Sequence, residues 1–549
     1  MSATEPSRLA RLPLWVDALL VAAIAAAVYA QVIRHDFIAL DDSLYVTGNA
    51  RVLGGLTWES FIWAWSNFDA ANYHPLTWLS YLIDIELFGP EAGWMAAENA
   101  IMHGINGYLV LLVLRELGCS RGAALLGALA FVAHPLNVES VAWVSQRKTV
   151  LASMPGLAAI LIYLRRARSG RPPINWVVVL LVTASLLSKA WLVVVPALFL
   201  VLDIWILRRG ARTESDSSGS TPPARLLEMW SRLWPLVREK FPLVVVTLSL
   251  SIAAILSQDS KGAIATTEVM PVSLRIENSV VSCVHYLSDA LRLGGFSLFY
   301  SLPDKISPGK FYGSLCVLAL ISLAVIMARL RNGALLAGWL WFGIFLLPVS
   351  GIIQVGSQAR ADRYMYLPLI GLIWAMCHLA ELAWVRMQTR TRLILPVSAG
   401  IWILLLCGVA HRQAGLWRNS FGIVGHSIAV SGATPRLLKI LAVALLQDGR
   451  WDAAIPILEK SLRAEDQDSS VALNLALAYS KVGRMNEAIT ITRTILARDP
   501  TNFAAATNLV VFLHAVDDHE SAADAEQHLS GLTRPTGLFA PPRQPLSGR

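Results

Sequence analysis

Two adjacent carboxylates, Asp41 and Asp42, stand in the run HDFIALDDSLYVTGN just beyond a long apolar stretch. Side by side near an interface they repel, which raises one pKa and suits a general base or a metal contact; from spacing alone an Asx turn in a solvated loop fits as well. Other ionisable groups also flank apolar segments, where their cost makes them worth attention. His74 precedes a proline in NYHPLTW, a position that equally serves a turn or helix cap. His134 and Glu139 fall in HPLNVES, and Arg147-Lys148 opens the next apolar run. Lys189 stands between two apolar runs, where it either snorkels to the interface or meets an anion. Arg360 and Arg363 bracket ARADR, readable as an internal Asp–Arg pair or as a phosphate fork. Carboxylates and several cations beside lipid fit transfer from a lipid-linked phosphate, with a carboxylate deprotonating an acceptor hydroxyl while cations stabilise the departing phosphate. The chain carries no Walker A loop, GxSxG elbow, HExxH or strand–GxGxxG–helix pattern, which leaves nucleotide-driven chemistry without a site.

The elements that must hold these groups are membrane spans. Of 549 residues, 55% are hydrophobic and 15% charged, against roughly 25% charged in an ordinary soluble domain. That excludes a soluble enzyme, a disordered chain and a secreted disulfide scaffold. The five cysteines are scattered without a CxxC pair and read as packing residues. The net charge of +8 lies in short clusters between apolar segments, an orientation signal and not a nucleic-acid surface. Apolar segments predict eleven spans, at 14–33, 97–114, 122–137, 149–164, 174–188, 190–207, 242–257, 312–328, 334–353, 364–384 and 393–410. Arg8 and Arg11 place the N-terminus inside, and the later Arg and Lys clusters fall on alternate inside loops if segment 276–298 lies at the outer surface without crossing. The acidic pair, the cation groups and everything after residue 411 are then expected outside, in the periplasm of a bacterium or the lumen of the endoplasmic reticulum. In the first outer loop, 34–94, Trp58, Phe61, Ile62 and Trp65 recur at helical spacing. They predict a helix lying on the membrane interface or packed on the spans.

After residue 434 the pattern changes to a period of 34. Gly449 and Gly483 are 34 apart, as are Ala454, Ala488 and Ala522, and as are Asn474 and Asn508. This is the tetratricopeptide period, weaker in a third unit where Asp517 replaces the turn glycine. The expected organisation is all-α: a polytopic helix bundle over 1–411, a linker at 412–433, tetratricopeptide repeats at 434–533 and a disordered Pro-rich tail at 534–549.

The runs DDSLYVTGNARVLGGLTW, NYHPLTWLSYLIDIELFG, HPLNVESVAWVSQRKTVLA, Ser188-Lys189, LVLDIW and ADRYMYLPLIGL, followed by the repeats, resemble the transmembrane and tetratricopeptide-repeat proteins. That family is related to the protein O-mannosyltransferases of the C-type glycosyltransferase superfamily. The resemblance implies a multi-span enzyme that takes a sugar, such as mannose, from a polyprenyl- or dolichyl-phosphate carrier with inversion, on the non-cytoplasmic face. It marks Asp41 and Asp42 as the catalytic motif. The chain departs from the family pattern at Thr149, often acidic in relatives, and at Ala190, often proline. Arg147, Lys148, Lys189, Arg360 and Arg363 are expected to hold the donor phosphate, with His74, His134 and Glu139 as further site candidates and a divalent metal left open. The expected partners are the lipid-linked donor, the bilayer and a polypeptide acceptor presented on the repeats, with no nucleic acid. Two alternatives remain: transfer to an envelope glycan or lipid, and a non-catalytic scaffold whose repeats recruit proteins.

Overall fold

The computed structural model describes residues 13–209, 222–260, 270–329, 333–464 and 469–532. Arg8, Arg11 and the tail at 534–549 lie outside the described residues. The chain is helical almost throughout and divides into two compact units, one of residues 1–35 and 54–417, the other of residues 36–53 and 418–549.

In the first unit all eleven apolar segments form helices. Seven of the described helices are long and apolar enough to cross a membrane: Leu14–Arg34, Ala92–Glu116, Val144–Arg168, Phe241–Asp259, Pro308–Ala328, Pro368–Arg386 and Ile394–Leu416. At 1.5 Å per residue, the 21 residues of Leu14–Arg34 match a hydrocarbon core of about 30 Å. A further apolar pair, Arg121–Ala133 and Pro135–Ala142, is long enough only when taken together and bends by 49°, the geometry of a broken span or a re-entrant loop; Pro135 has no N–H to continue the ladder. Trp176–Ser188, Leu192–Trp205 and Gly333–Val349 are shorter apolar helices. The protein is thus a multi-pass membrane protein. Two of its helices touch backbone to backbone: a Cβ added at Gly338 would lie 2.7 Å from Gly371 O, and one at Gly371 2.5 Å from Gly338 O. Lipid supplies no hydrophobic drive between helices, so such close approach through small residues is how they associate.

The segment expected not to cross forms Val272–Asp289, which is absent from the described crossing candidates. The residues it buries include Arg275, Asn278, Ser282 and Asp289, a polar face that suits protein and not hydrocarbon. In the first loop, Trp58–Ser66 is a helix closed by a Thr57–Ser60 capping box. It buries Ser60 and Ala64 and exposes Trp58, Phe61, Ile62 and Trp65, so the aromatic stripe faces away from the protein, as an interfacial helix requires.

The second unit holds three helix pairs, Pro435–Gln447 with Trp451–Ala464, Ser469–Lys481 with Met485–Arg498, and Phe503–His514 with His519–Ser530. Ala454, Ala488 and Ala522 are each fully buried where paired helices meet. The third pair forms despite its altered turn, because Asp517 adopts φ +57°, the left-handed conformation that Gly449 (+73°) and Gly483 (+83°) hold without penalty. Asp517→Gly is therefore expected to stabilise the repeats by about 0.5–1 kcal/mol, measurable as a raised unfolding midpoint for the C-terminal unit.

Two expected boundaries differ. The linker at 412–433 is helical: Ile394–Leu416 runs into it and Ser420–Ser431 fills most of the rest. Asn419 caps the latter helix by accepting the Gly422 N–H at 3.0 Å, and Phe421 packs against the repeat core, extending the solenoid by one helix where a free end would expose apolar surface. Residues 36–53, expected within the membrane domain, belong to the repeat unit.

Candidate functional site

The cations of the first unit converge from four parts of the chain. His74 precedes Pro75, the favoured first residue of helix Pro75–Phe88. Thr77 of that helix donates its hydroxyl to Ser188 O at 2.8 Å, which fixes the end of Trp176–Ser188. Lys189 follows in extended conformation, φ −161° and ψ 129°. Its Nζ donates to Thr149 Oγ1 at 2.8 Å and lies 4.4 Å from the centre of the Trp191 ring. Among the described residues no carboxylate lies within ion-pair distance of this ammonium. Burial, together with the nearby charges of Lys148 and Arg363, holds the Lys189 pKa well below its ordinary value, against an opposing pull from Glu139. The same burial, with Lys148 and Lys189, keeps His74 well below the ordinary histidine range, and so neutral.

Arg363 is aimed by Glu139, whose carboxylate accepts both the Arg363 backbone N–H, at 2.8 Å, and its guanidinium. The guanidinium also lies 5.1 Å from the Tyr364 ring centre. Arg360 instead pairs with Asp289 and stacks 3.7 Å from the centre of Tyr300. A two-stranded antiparallel ladder registers Tyr300 against Arg360. Tyr300 donates its hydroxyl to Asp362 Oδ1 at 2.9 Å; burial beside Glu139 pushes the Asp362 carboxyl well above the usual range.

Two expected site residues are committed elsewhere. Arg147 is fully buried and faces Asp84 Oδ2 at 2.8 Å, Glu98 Oε2 at 2.9 Å and Met95 O at 2.8 Å, with Nε on Asn99. A guanidinium so surrounded is satisfied within the protein and ties the helix that continues through Lys148 and Thr149 to Asp84 and Glu98. His134 accepts the Leu136 N–H at Nδ1 (3.3 Å), and its Nε2 meets Ala290 O at 3.1 Å, which ties two loops together. Sequence reasoning did not single out Asp84, Glu98, Asp289 or Tyr300 as site residues, and it read Asp362 as one half of an internal Asp–Arg pair. Glu98 inside an apolar span was the available signal, since a charge there needs a partner.

The acidic pair, in the second unit, is asymmetric. Asp42 is fully buried and its Oδ2 accepts the Ile38 N–H at 2.7 Å. Asp41 is half-buried, and among the described residues nothing hydrogen-bonds its carboxylate. One carboxylate shapes the turn and the other is open to a ligand. Among the described residues no three His, Cys, Asp or Glu side chains gather as a metal site.

Fold and side-chain clusters define a multi-pass, mostly helical membrane protein with a tetratricopeptide-repeat unit. Residues 445–529 match the Tetratricopeptide repeat family. The chain is similar to Protein O-mannosyl-transferase TMTC1 of Homo sapiens, 25% identical over 452 residues, covering 73% of this chain and 49% of that protein. It is also similar to the Mus musculus protein of the same name, 32% identical over 166 residues, covering 28% of this chain and 17% of that one. The chain thus spans about half, or less, of the curated relatives it matches. Two solved structures show looser likeness. ArnT from Cupriavidus metallidurans, bound to undecaprenyl phosphate, has 16% identity and TM-score 0.37, with 89% of this chain and 81% of that chain covered. The Archaeoglobus fulgidus oligosaccharyltransferase, tethered to an acceptor peptide, has 10% identity and TM-score 0.35, with 80% and 58% covered.

Proposed function

We propose that the protein is a membrane glycosyltransferase that moves a sugar, mannose by its resemblance to the relatives' named activity, from a polyprenyl-phosphate carrier to hydroxyl groups of polypeptides. The observation that carries this reading is the Lys189 ammonium, buried in part, without a carboxylate at ion-pair distance and with Lys148 and Arg363 close enough to depress its pKa. Such a concentration of positive charge is costly unless an anion completes it, and a lipid-linked phosphate reaching the site from the bilayer is that anion. Thr149 accepts the Lys189 N–H without neutralising it, so the charge remains available to a ligand. Asp41 serves as the base: the acceptor oxygen attacks the anomeric carbon as its proton passes to Asp41. The bond from that carbon to the phosphate oxygen breaks, and polyprenyl phosphate leaves with the electron pair. A single displacement inverts the configuration. Lys148, Lys189 and Arg363 stabilise the charge on the leaving phosphate, while Arg360 is occupied by Asp289 and Tyr300.

On the topology expected from the basic clusters this chemistry belongs to the non-cytoplasmic face, and the repeats offer the polypeptide a surface. The test is incubation of the purified protein with labelled polyprenyl-phosphate mannose and polypeptide, glycan and lipid acceptors, followed by mass spectrometry. Labelled hexose on serine or threonine is the expected product. Label on a glycan or lipid alone would move the acceptor assignment, and no transfer at all would leave a scaffold.

A further inference from the structure

On the reading that Asp41 is the base, we infer that Ser420 is a positioning residue for it, so that the acidic segment is built onto the helix that opens the repeat unit. The observation is a junction between two parts of the chain 381 residues apart. The Asp36 N–H donates to Arg418 O at 2.8 Å. Three residues on, the Ala39 N–H donates to Ser420 Oγ at 2.8 Å, and between them Ile38 N–H donates to Asp42 Oδ2. Ala39 and Ser420 are both buried, and a buried amide that loses its acceptor bears the full cost of desolvation. The backbone entering Asp41 is therefore held at two points by residues 418–420 and at one by Asp42. Leaving Asp41, the chain turns at once: Tyr45 N–H donates to Asp41 O at 2.9 Å and Ser43 Oγ to Leu40 O at 3.3 Å, and the Gly48 N–H donating to Ser43 O at 2.8 Å closes a π-helical turn over Ser43–Thr47. Asp41 is thus fixed through its main chain while its carboxylate stays open.

The other side of the junction faces the repeats. Phe421, next to Ser420, packs against the repeat core, and the Arg450 guanidinium of the first repeat lies 5.6 Å from its ring centre. One hydroxyl therefore joins the acidic segment to a helix whose neighbouring side chain is anchored among the repeats. A base acts only within hydrogen-bond reach of its proton, and a displacement of about 1 Å costs about 10²-fold in rate. Loosening Ser420 should therefore reach catalysis without reaching the donor.

The experiment uses the full chain in nanodiscs, with Ser420→Ala, Ser420→Thr and Ser420→Cys. Initial rates with polyprenyl-phosphate mannose and a Ser/Thr peptide give kcat and the donor KM, and hydrogen exchange is followed in the peptide covering residues 36–47. Ser420→Ala should lower kcat about 10-fold or more, leave the donor KM unchanged and speed exchange in 36–47. Ser420→Thr should restore both, and Ser420→Cys, a weaker acceptor, should fall between. Unchanged exchange in 36–47 with Ser420→Ala overturns the inference, as does loss of kcat that Thr does not rescue. If exchange responds as expected while the parent protein transfers no sugar, the anchoring stands and the assignment of Asp41 as base falls.

Discussion

Asp41→Asn should abolish most transfer and leave donor binding intact. The acceptor hydroxyl is a poor nucleophile near neutral pH, and a positioned carboxylate that takes its proton typically contributes 10²–10⁴-fold, so a fall of about that size is expected in kcat. The amide is nearly isosteric, and with no hydrogen bond to the Asp41 carboxylate among the described residues, folding has little to lose. Asp42→Asn makes the informative contrast. Its carboxylate accepts the Ile38 N–H, a bond an amide oxygen can still make, so this variant should keep the turn and lose less activity. Equal, parental rates in both variants would refute the mechanism and favour the scaffold.

Lys189→Gln should weaken donor binding by about 2 kcal/mol, roughly 30-fold, the worth of a hydrogen bond to a charged group. The pH dependence supplies a second signature. Because burial with Lys148 and Arg363 depresses the Lys189 pKa, the ammonium loses its proton at lower pH than an ordinary lysine. A bound phosphate favours the protonated form, so donor affinity in the parent should fall as pH rises through that depressed pKa. Lys189→Gln should remove this slope. Titration of the protein with a polyprenyl-phosphate sugar by calorimetry at several pH values measures both effects, and parental affinity with a parental slope would remove Lys189 from the site. Arg363→Gln should weaken the donor by a similar factor, and it also leaves the buried Glu139 carboxylate without its cation. Its thermal stability should therefore be measured alongside.

Much of the architecture was legible because it is written in short-range periodicity. Each apolar segment of near-spanning length is a helix, and the period of 34 marks helix pairs whose alanines meet in the core. The third repeat survived its missing glycine because aspartate tolerates the left-handed turn better than most residues. The sites were legible in residue type and less so in role. Arg147 and Lys148 are adjacent, and sequence gives no means of separating them. Only the fold shows that Asp84 and Glu98, from two other helices, close on the first. Likewise the resemblance marks Asp41 and Asp42 as a pair, while the hydrogen bond that occupies Asp42 depends on a local turn with no compositional signal. The link from Ala39 to Ser420 could not be read at all, since nothing in either segment points across 381 residues.

That separation also sets an order of events during synthesis. At about 5–20 residues per second, roughly 20–80 s pass between translation of Ala39 and of Ser420. Throughout that interval the acidic segment has been made and its acceptor has not. Long-range contacts of this kind form late, after loop-closure entropy has been overcome. The segment that carries Asp41 therefore waits for its anchor, and on the proposed function a nascent chain gains a positioned base only once the helix that opens the repeat unit has been made.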